Sequence, residues 1–105
     1  MDDRLAALWA GVETALDRPW TLELLAATVH TSPEALRKRC LHEMGRSPMQ
    51  HVTYIRMQRA RHLLEYTQDK LDVVAERLGF SDGMTFSSAF KRWIGLTPSD
   101  YRQRH

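Results

Sequence analysis

The side chains best suited to chemistry lie in two short segments and are hydrogen-bond donors and acceptors rather than nucleophiles. In the first segment, Arg37 and Lys38 can donate to O6 and N7 of guanine. Glu34 can accept a hydrogen bond from N4 of cytosine, and Leu41 can contact a thymine methyl group. These residue types suit the edges of base pairs in a major groove. The alternative for Arg37 and Lys38 is a solvated or phosphate-contacting face, since half or more of such contacts go to the backbone.

The second segment carries weaker readers of base pairs. Its outward positions are Met84, Ser87 and Ser88, and serine hydroxyls make short, permissive hydrogen bonds. Lys91 and Arg92 follow and suit contacts with phosphates. We therefore expect the first segment to set most of the preference for a DNA sequence, and the second to add mainly affinity for the phosphate backbone of the DNA.

Catalytic and metal-binding patterns are not found in the sequence. His42, His51 and His62 lie among basic neighbours without a paired acid or cysteine at ligand spacing, so phosphate or solvent contact suits them better. The single Cys40 supplies neither an internal disulfide nor a zinc-ligand set. There is no glycine-rich phosphate loop or nucleophile elbow. The sequence predicts a protein that is not an enzyme and uses no cofactor or metal.

Charge is distributed unevenly along the chain. The formal net charge is +2, but residues 1–36 carry two basic and six acidic side chains while residues 37–105 carry thirteen basic and seven acidic ones. This asymmetry indicates a polyanionic partner for the second part, with an ordinary solvated surface as the alternative.

No apolar run is long enough to span a membrane, and the acidic start does not resemble a signal peptide. A cytoplasmic protein without membrane contact is predicted.

Both segments occupy equivalent places in an internal repeat. About 49 residues separate the first set of matching positions, which pairs Leu22, Leu25, Ala26, Val29 and Ser32 with Leu71, Val74, Ala75, Leu78 and Ser81. In the later set the spacing is one residue longer. This set pairs Leu36, Cys40, Gly45, Pro48 and His51 with Phe86, Phe90, Gly95, Pro98 and Tyr101. Each copy has the pattern of two helices around a tight turn, so each can offer one helix to a major groove.

The helix signals predict an all-α fold of about seven helices, with two helix-turn-helix subdomains joined by a long central helix. Ser32-Pro33 and Ser47-Pro48 are start signals, and Gln50 completes a capping box with Ser47. Apolar spacing and breakers place the helices at 3–16, 22–29, 33–44, 48–66, 71–78, 82–93 and 98–104.

This pattern divides the chain into four parts. Residues 1–19 form an amphipathic helix that packs on the first subdomain, residues 20–47 form the first helix-turn-helix, residues 48–66 form the linker helix, and residues 67–105 form the second helix-turn-helix with a C-terminal helix. The second helix of each helix-turn-helix is the reading helix, which would contact the base pairs. A linker of roughly 27 Å suits a separation of about 34 Å, one DNA turn, between the two reading helices. Arg56 on the linker either contacts a phosphate or pairs with an acidic neighbour.

Helical spacing also assigns the core sides of the two reading helices. These are Leu36, Cys40 and Met44 in the first copy, and Phe86, Phe90, Trp93 and Ile94 in the second. Cys40 is smaller than its counterpart Phe90, so the first core must be filled from elsewhere, for which Trp9 and Trp20 are candidates.

The sequence resembles the AraC/XylS family of bacterial transcription regulators over residues 21–102. The resemblance is carried by Leu25-Ala26, Ser32, Leu36, Gly45-Arg46-Ser47-Pro48, Arg56-Met57-Gln58-Arg59-Ala60, Leu63-Leu64, Val74-Ala75, Leu78-Gly79-Phe80-Ser81, Phe86, Phe90-Lys91 and Gly95-Leu96-Thr97-Pro98-Ser99-Asp100-Tyr101-Arg102. It implies a double helix-turn-helix that binds operator DNA, activates transcription through RNA polymerase, and often follows an N-terminal sensor domain. His30 and Cys40 depart from the family pattern, which commonly has glycine and phenylalanine there.

The resemblance places the family's base-contacting positions on Glu34, Arg37 and Lys38 in the first copy, and on Gly83, Met84, Ser87 and Ser88 in the second. With Leu41, these residues form the predicted base-reading set. The predicted phosphate contacts are Arg39, His42, Arg56, Thr85, Lys91 and Arg92. The alternative is a helical protein-binding module that uses the same fold without reading DNA.

Overall fold

The computed structural model describes residues 3–105, and within them it contains seven α-helices and no β-strand. The all-α prediction is therefore confirmed. The helices are α1 (Asp3–Glu13), α2 (Leu22–Thr28), α3 (Pro33–Met44), α4 (Pro48–Tyr66), α5 (Leu71–Arg77), α6 (Gly83–Ile94) and α7 (Pro98–Arg104).

α1 is shorter than the sequence predicts, because it ends at Glu13 instead of Leu16. Beyond Glu13 the backbone tightens: the amide of Thr14 donates to the carbonyl of Gly11, three residues back, at 3.2 Å. Leu16 is nevertheless buried. Apolar spacing therefore predicted the burial of Leu16 correctly. It did not show that Leu16 lies in the non-helical turn that follows α1.

Side-chain caps fix where most of the helices begin. Ser47 and Gln50 form the predicted capping box, in which the amide of Ser47 donates to Gln50 Oε1 at 2.8 Å and the amide of Gln50 donates to Ser47 Oγ at 3.2 Å. Single side-chain caps start four other helices, and the capping residues are Thr21, Ser32, Asp82 and Thr97. These caps satisfy amide donors that a helix leaves unpaired at its N-terminus.

The chain forms two compact units, and the division between them falls inside α4, between Ile55 and Arg56. The buried apolar side chains of the first unit are Leu5, Leu8, Trp9, Val12, Leu16, Trp20, Leu25, Ala26, Leu36, Cys40, Val52 and Ile55. Those of the second unit are Met57, Ala60, Leu63, Leu64, Val74, Ala75, Leu78, Phe86, Phe90 and Tyr101. α4 therefore contributes side chains to both cores. The first core contains two indoles, those of Trp9 and Trp20, in addition to the smaller Cys40.

Trp93 is not a core residue, contrary to the prediction, because 41% of it is exposed. It lies in the last turn of α6, seven residues and roughly 10 Å beyond the buried Phe86. Ile94 is only partly buried. Phe90, three residues before Trp93, is fully buried, so burial on this side of α6 decreases within its last turn.

Both helix-turn-helix turns use the same backbone geometry. After α2, the amides of His30 and Thr31 donate to the carbonyls of Ala27 and Ala26 at 3.2 and 3.1 Å. This pattern is a Schellman motif, which requires a left-handed residue. His30 takes that conformation with φ of 56°, and Gly79 takes it in the second copy with φ of 84°.

Candidate nucleic-acid interface

The exposed side of α3 carries the predicted reading residues of the first unit. Leu36 and Cys40 are buried on the opposite side of this helix, which turns the predicted set toward solvent. The Leu41 side chain is unusual among them because it is apolar and yet 43% exposed. The exposed predicted residues of α3 are Glu34, Arg37, Lys38, Arg39, Leu41 and His42.

Two of these residues, Glu34 and Arg37, bind each other. Arg37 Nη2 lies 2.6 Å from Glu34 Oε1, and Arg37 Nε donates to Glu34 Oε2 at 3.3 Å. The hydrogen bond and the positive charge of Arg37 lower the pKa of the Glu34 carboxyl, and Glu34 in turn raises the pKa of Arg37. Both side chains remain exposed, so a base pair can be contacted by the pair as a unit or after the two have separated.

Arg39 faces a different side of α3 from Arg37. It lines a cavity of about 110 Å³ with Arg4 and Leu5 of α1, and Val29 and Ala35 also contribute to the walls. Arg39 therefore lies on the side of α3 that meets α1, at the margin of the exposed reading side.

The exposed side of α6 is less charged and more apolar than that of α3. Met84, in the first turn, is 82% exposed, and Ser88 lies one turn further on. Ser87 is half-buried. Lys91 and Arg92 are exposed in the last turn and place two positive charges beside the C-terminal end of the helix.

Gly83, the first residue of α6, is buried and carries no side chain. Its amide donates to Asp72 Oδ1 on α5 at 2.9 Å. Asp72 was not predictable from the sequence, because a residue eleven positions before the helix start has no periodic relation to it. The only sign of this contact in the sequence was a glycine, Gly83, at a helix start that Asp82 already caps.

Thr85, a predicted phosphate contact, is exposed and takes part in the N-cap of α6. Its amide donates to Asp82 Oδ1 at 2.7 Å, and its hydroxyl accepts a hydrogen bond from Ser81 at 3.3 Å. The amide of Thr85 is the main reason why the pKa of Asp82 is lowered. The cap therefore keeps a carboxylate ionised at the start of α6, where the helix dipole also favours negative charge.

Arg56 of α4, the remaining predicted phosphate contact, is half-buried in the second unit. Its burial lowers the pKa of the guanidinium. The Arg56 side chain is therefore less exposed than those of Lys91 and Arg92.

Among residues 3–105, no three histidine, cysteine, aspartate or glutamate side chains are grouped so that they could hold a metal ion. No helix in the same range has the length and apolar character needed to cross a membrane.

Comparison with known proteins gives matches along nearly the whole chain. A family model described as a helix-turn-helix domain matches residues 25–104. The transcriptional activator RhaR of Klebsiella pneumoniae is 34% identical over 104 residues, which make up 99% of this chain and 36% of that protein. The ornithine utilization regulator of Pseudomonas aeruginosa is 39% identical over 82 residues, covering 78% of this chain and 24% of that protein. The chain thus spans about a third or less of the length of these relatives.

Two solved structures share the fold. The C-terminal domain of AraT, a response regulator from Geobacillus stearothermophilus, has a TM-score of 0.92 and 30% identity, covering 99% of this chain and 87% of that one. The DNA-binding domain of AdpA, solved in complex with a target DNA, has a TM-score of 0.90 and 30% identity, covering 98% and 93%. The chain belongs to the AraC/XylS family of DNA-binding transcription regulators.

Proposed function

We propose that α3 and α6 are the two reading helices of an operator-binding domain and enter successive major grooves on one face of the duplex. The observation that carries this proposal is the exposed side of α3, where Glu34, Arg37, Lys38 and Leu41 offer acceptors, donors and an apolar contact together. The AdpA domain, which was solved with a target DNA and is 30% identical to this chain, supports the same use of the fold.

The two helices contribute differently in this proposal. α3 supplies most of the discrimination between base pairs, because its donors and acceptors can form paired hydrogen bonds with base edges. On α6, Met84, Ser87 and Ser88 make permissive contacts, while Lys91 and Arg92 neutralise phosphates. Arg39, His42, Arg56 and Thr85 complete the proposed phosphate contacts.

Regulation is the second part of the proposal. RhaR and RhaS are named as transcriptional activators, and we infer that this chain likewise acts on RNA polymerase from its operator. Those relatives extend well beyond the region they share with this chain, which supports a sensor domain N-terminal to α1. The proposed site of action is the cytoplasm, where bacterial DNA lies.

The salt dependence of binding tests the proposed contact with DNA. Operator DNA is first selected from a random pool, and its dissociation constant is then measured by fluorescence anisotropy between about 50 and 200 mM salt. Contacts of Arg39, Arg56, Lys91 and Arg92 with phosphates predict that the logarithm of the association constant, the reciprocal of the dissociation constant, falls with the logarithm of the salt concentration with a slope of about −3.6. A module that bound a protein through apolar contacts would show little salt dependence.

A matched pair of variants identifies the contacts behind the slope. The double variant K91A/R92A removes two proposed phosphate contacts, so the slope should become shallower by about 1.8 while the ranking of operator variants stays the same. Arg104→Ala, which removes an exposed charge outside the proposed surface, serves as the control. An equal change in slope for R104A and K91A/R92A would contradict the proposal.

A further inference from the structure

A hydrogen bond between α5 and α6 holds the first turn of α6 in place. The donor is the backbone amide of Gly83, the first residue of α6, and the acceptor is Oδ1 of Asp72, the second residue of α5. The donor–acceptor distance is 2.9 Å. An ionised carboxylate accepting from a helix N-terminal amide is among the stronger hydrogen bonds in proteins, because charge assists it and the helix dipole adds to it.

The contact depends on a close approach that only glycine permits. A Cβ on Gly83 would lie 2.5 Å from Asp72 Oδ1 and 3.3 Å from the Asp72 backbone nitrogen. The first distance is too short for a Cβ, so another residue at position 83 would displace the Asp72 carboxylate from its hydrogen bond with the amide of residue 83. Gly83 and Asp72 therefore act as a matched pair.

Within the described residues, the start of α3 has no equivalent amide donor. α3 begins with Pro33, which has no amide hydrogen to donate. The start of α3 is set instead by the Ser32 cap, whose Oγ accepts from the amide of Ala35 at 3.1 Å. α6 has the corresponding cap from Asp82 and the bond to Asp72 in addition. The bond between Asp72 and Gly83 thus distinguishes the second reading helix from the first.

The residues that follow Gly83 are the proposed readers on α6. Met84 is adjacent, and Ser87 and Ser88 lie one turn further along. A cap such as Asp82 satisfies amides within its own helix, whereas Asp72 ties the helix start to a different helix. A substitution at Asp72 would therefore remove a tie between the two helices while the Asp82 cap remains in place.

We propose that Asp72 is a positioning residue for DNA recognition, which with Gly83 fixes the orientation of α6 on α5 and so the register of Met84, Ser87 and Ser88 on the operator. This inference rests on the proposed reading role of α6. It assigns Asp72 no contact with DNA of its own.

The test compares Asp72→Ala, which removes the acceptor, with Asp72→Asn, which retains an oxygen at Oδ1. Binding is measured on a panel of single-base variants of the selected operator. D72A should lower discrimination at the base pairs assigned to α6 by about two- to threefold, which is less than the effect expected of R37A in the α3 half, while discrimination at the base pairs assigned to α3 is unchanged. D72N should retain the wild-type discrimination in both halves.

Residual dipolar couplings of the free protein provide a readout that does not depend on DNA. In D72A the couplings of α6 should change relative to those of α5, and in D72N they should match the wild type. Unchanged couplings in D72A, or an equal loss of discrimination in both halves of the operator, overturn the positioning role and leave the DNA-binding proposal intact. A wild-type protein without any operator preference overturns both proposals.

A double-variant cycle tests the same pair from the side of Gly83. Gly83→Ala should weaken discrimination in the α6 half by a larger factor in the wild-type background than in D72A, because the carboxylate that its Cβ meets is absent there. An equal effect of G83A in both backgrounds would contradict the matched pair.

Discussion

Arg37 and Ser88 occupy exposed positions on α3 and α6 and differ in what they can offer a base pair. Arginine presents two parallel donors to guanine, whereas serine forms one adaptable hydrogen bond. We therefore expect Arg37→Ala to reduce discrimination at one base pair by about tenfold, and Ser88→Ala to change it little. Binding assays on a panel of single-base operator variants measure both effects. A larger loss from S88A than from R37A would contradict the division of roles between the helices.

His51 predicts a pH dependence of stability in the first unit. Burial is the main cause of its lowered pKa; the positive charge of Arg46 adds to it and Glu13 opposes it. The imidazole lies 4.5 Å from the Trp9 ring, centroid to centroid, and its buried Nδ1 has no hydrogen-bond partner. The folded state thus favours neutral His51. The contribution of His51 to the free energy of unfolding is complete above the ordinary histidine pKa of about 6.5 and is lost as pH falls below it.

His51→Phe is the matched variant for this prediction, because it keeps an aromatic ring and removes the titration. The free energy of unfolding, measured by urea denaturation from pH 7.5 to pH 5, should fall more steeply for the wild type than for H51F. Parallel curves for the two proteins would show that His51 does not couple protonation to folding.

The turn between α2 and α3 contains a residue whose conformation glycine adopts more easily. A left-handed backbone costs a residue with a Cβ about 1–2 kcal/mol, and the extra freedom of glycine in the unfolded chain offsets about 0.5–1 kcal/mol. His30→Gly should therefore raise the free energy of unfolding by up to about 1 kcal/mol. The reciprocal control is Gly79→Ala in the second turn, which should lower it. Urea denaturation measures both, and a destabilising H30G would contradict the expectation.

Sequence patterns predicted the helices well because their signals are local. The Ser-Pro starts and the glycine ends gave the observed bounds of α3, and the capping box marked the start of α4. Periodicity failed where burial does not coincide with regular helix, at Leu16, and where burial decreases within the last turn of a helix, at Trp93. Apolar spacing reports which side chains share a face, but it does not report where a helix ends, as at Leu16, or whether every residue on that face is buried, as at Trp93.

The exposure of the proposed reading residues was likewise predictable, whereas their partners were not. The spacing of Leu36 and Cys40 is enough to place Arg37 and Lys38 outward. Arg37 has both acidic and basic neighbours in the sequence, so the sequence does not specify that it pairs with Glu34. The bond from Gly83 to Asp72 depends on how α5 and α6 pack, which no single segment specifies.

At the scale of the whole molecule, the two compact units predict separate local stabilities. Trp9 is buried in the first unit and Phe86 in the second, and replacing either by alanine should cost about 3–5 kcal/mol. Trp9→Ala should increase amide hydrogen exchange mainly in residues up to Ile55, and Phe86→Ala mainly in those from Arg56 onward. Each variant serves as the control for the other. If both variants accelerated exchange equally along the chain, the units would open as one.

The position of the boundary inside α4 also bears on how new regulators of this kind can arise. Val52 and Ile55 belong to one interior, and Met57 and Ala60 to the other. A recombination event between positions 55 and 56 of two related genes would leave both interiors with their own side chains and would keep the helix continuous. Such a chimera would inherit one reading helix from each parent, so a single crossover could generate a new composite operator preference.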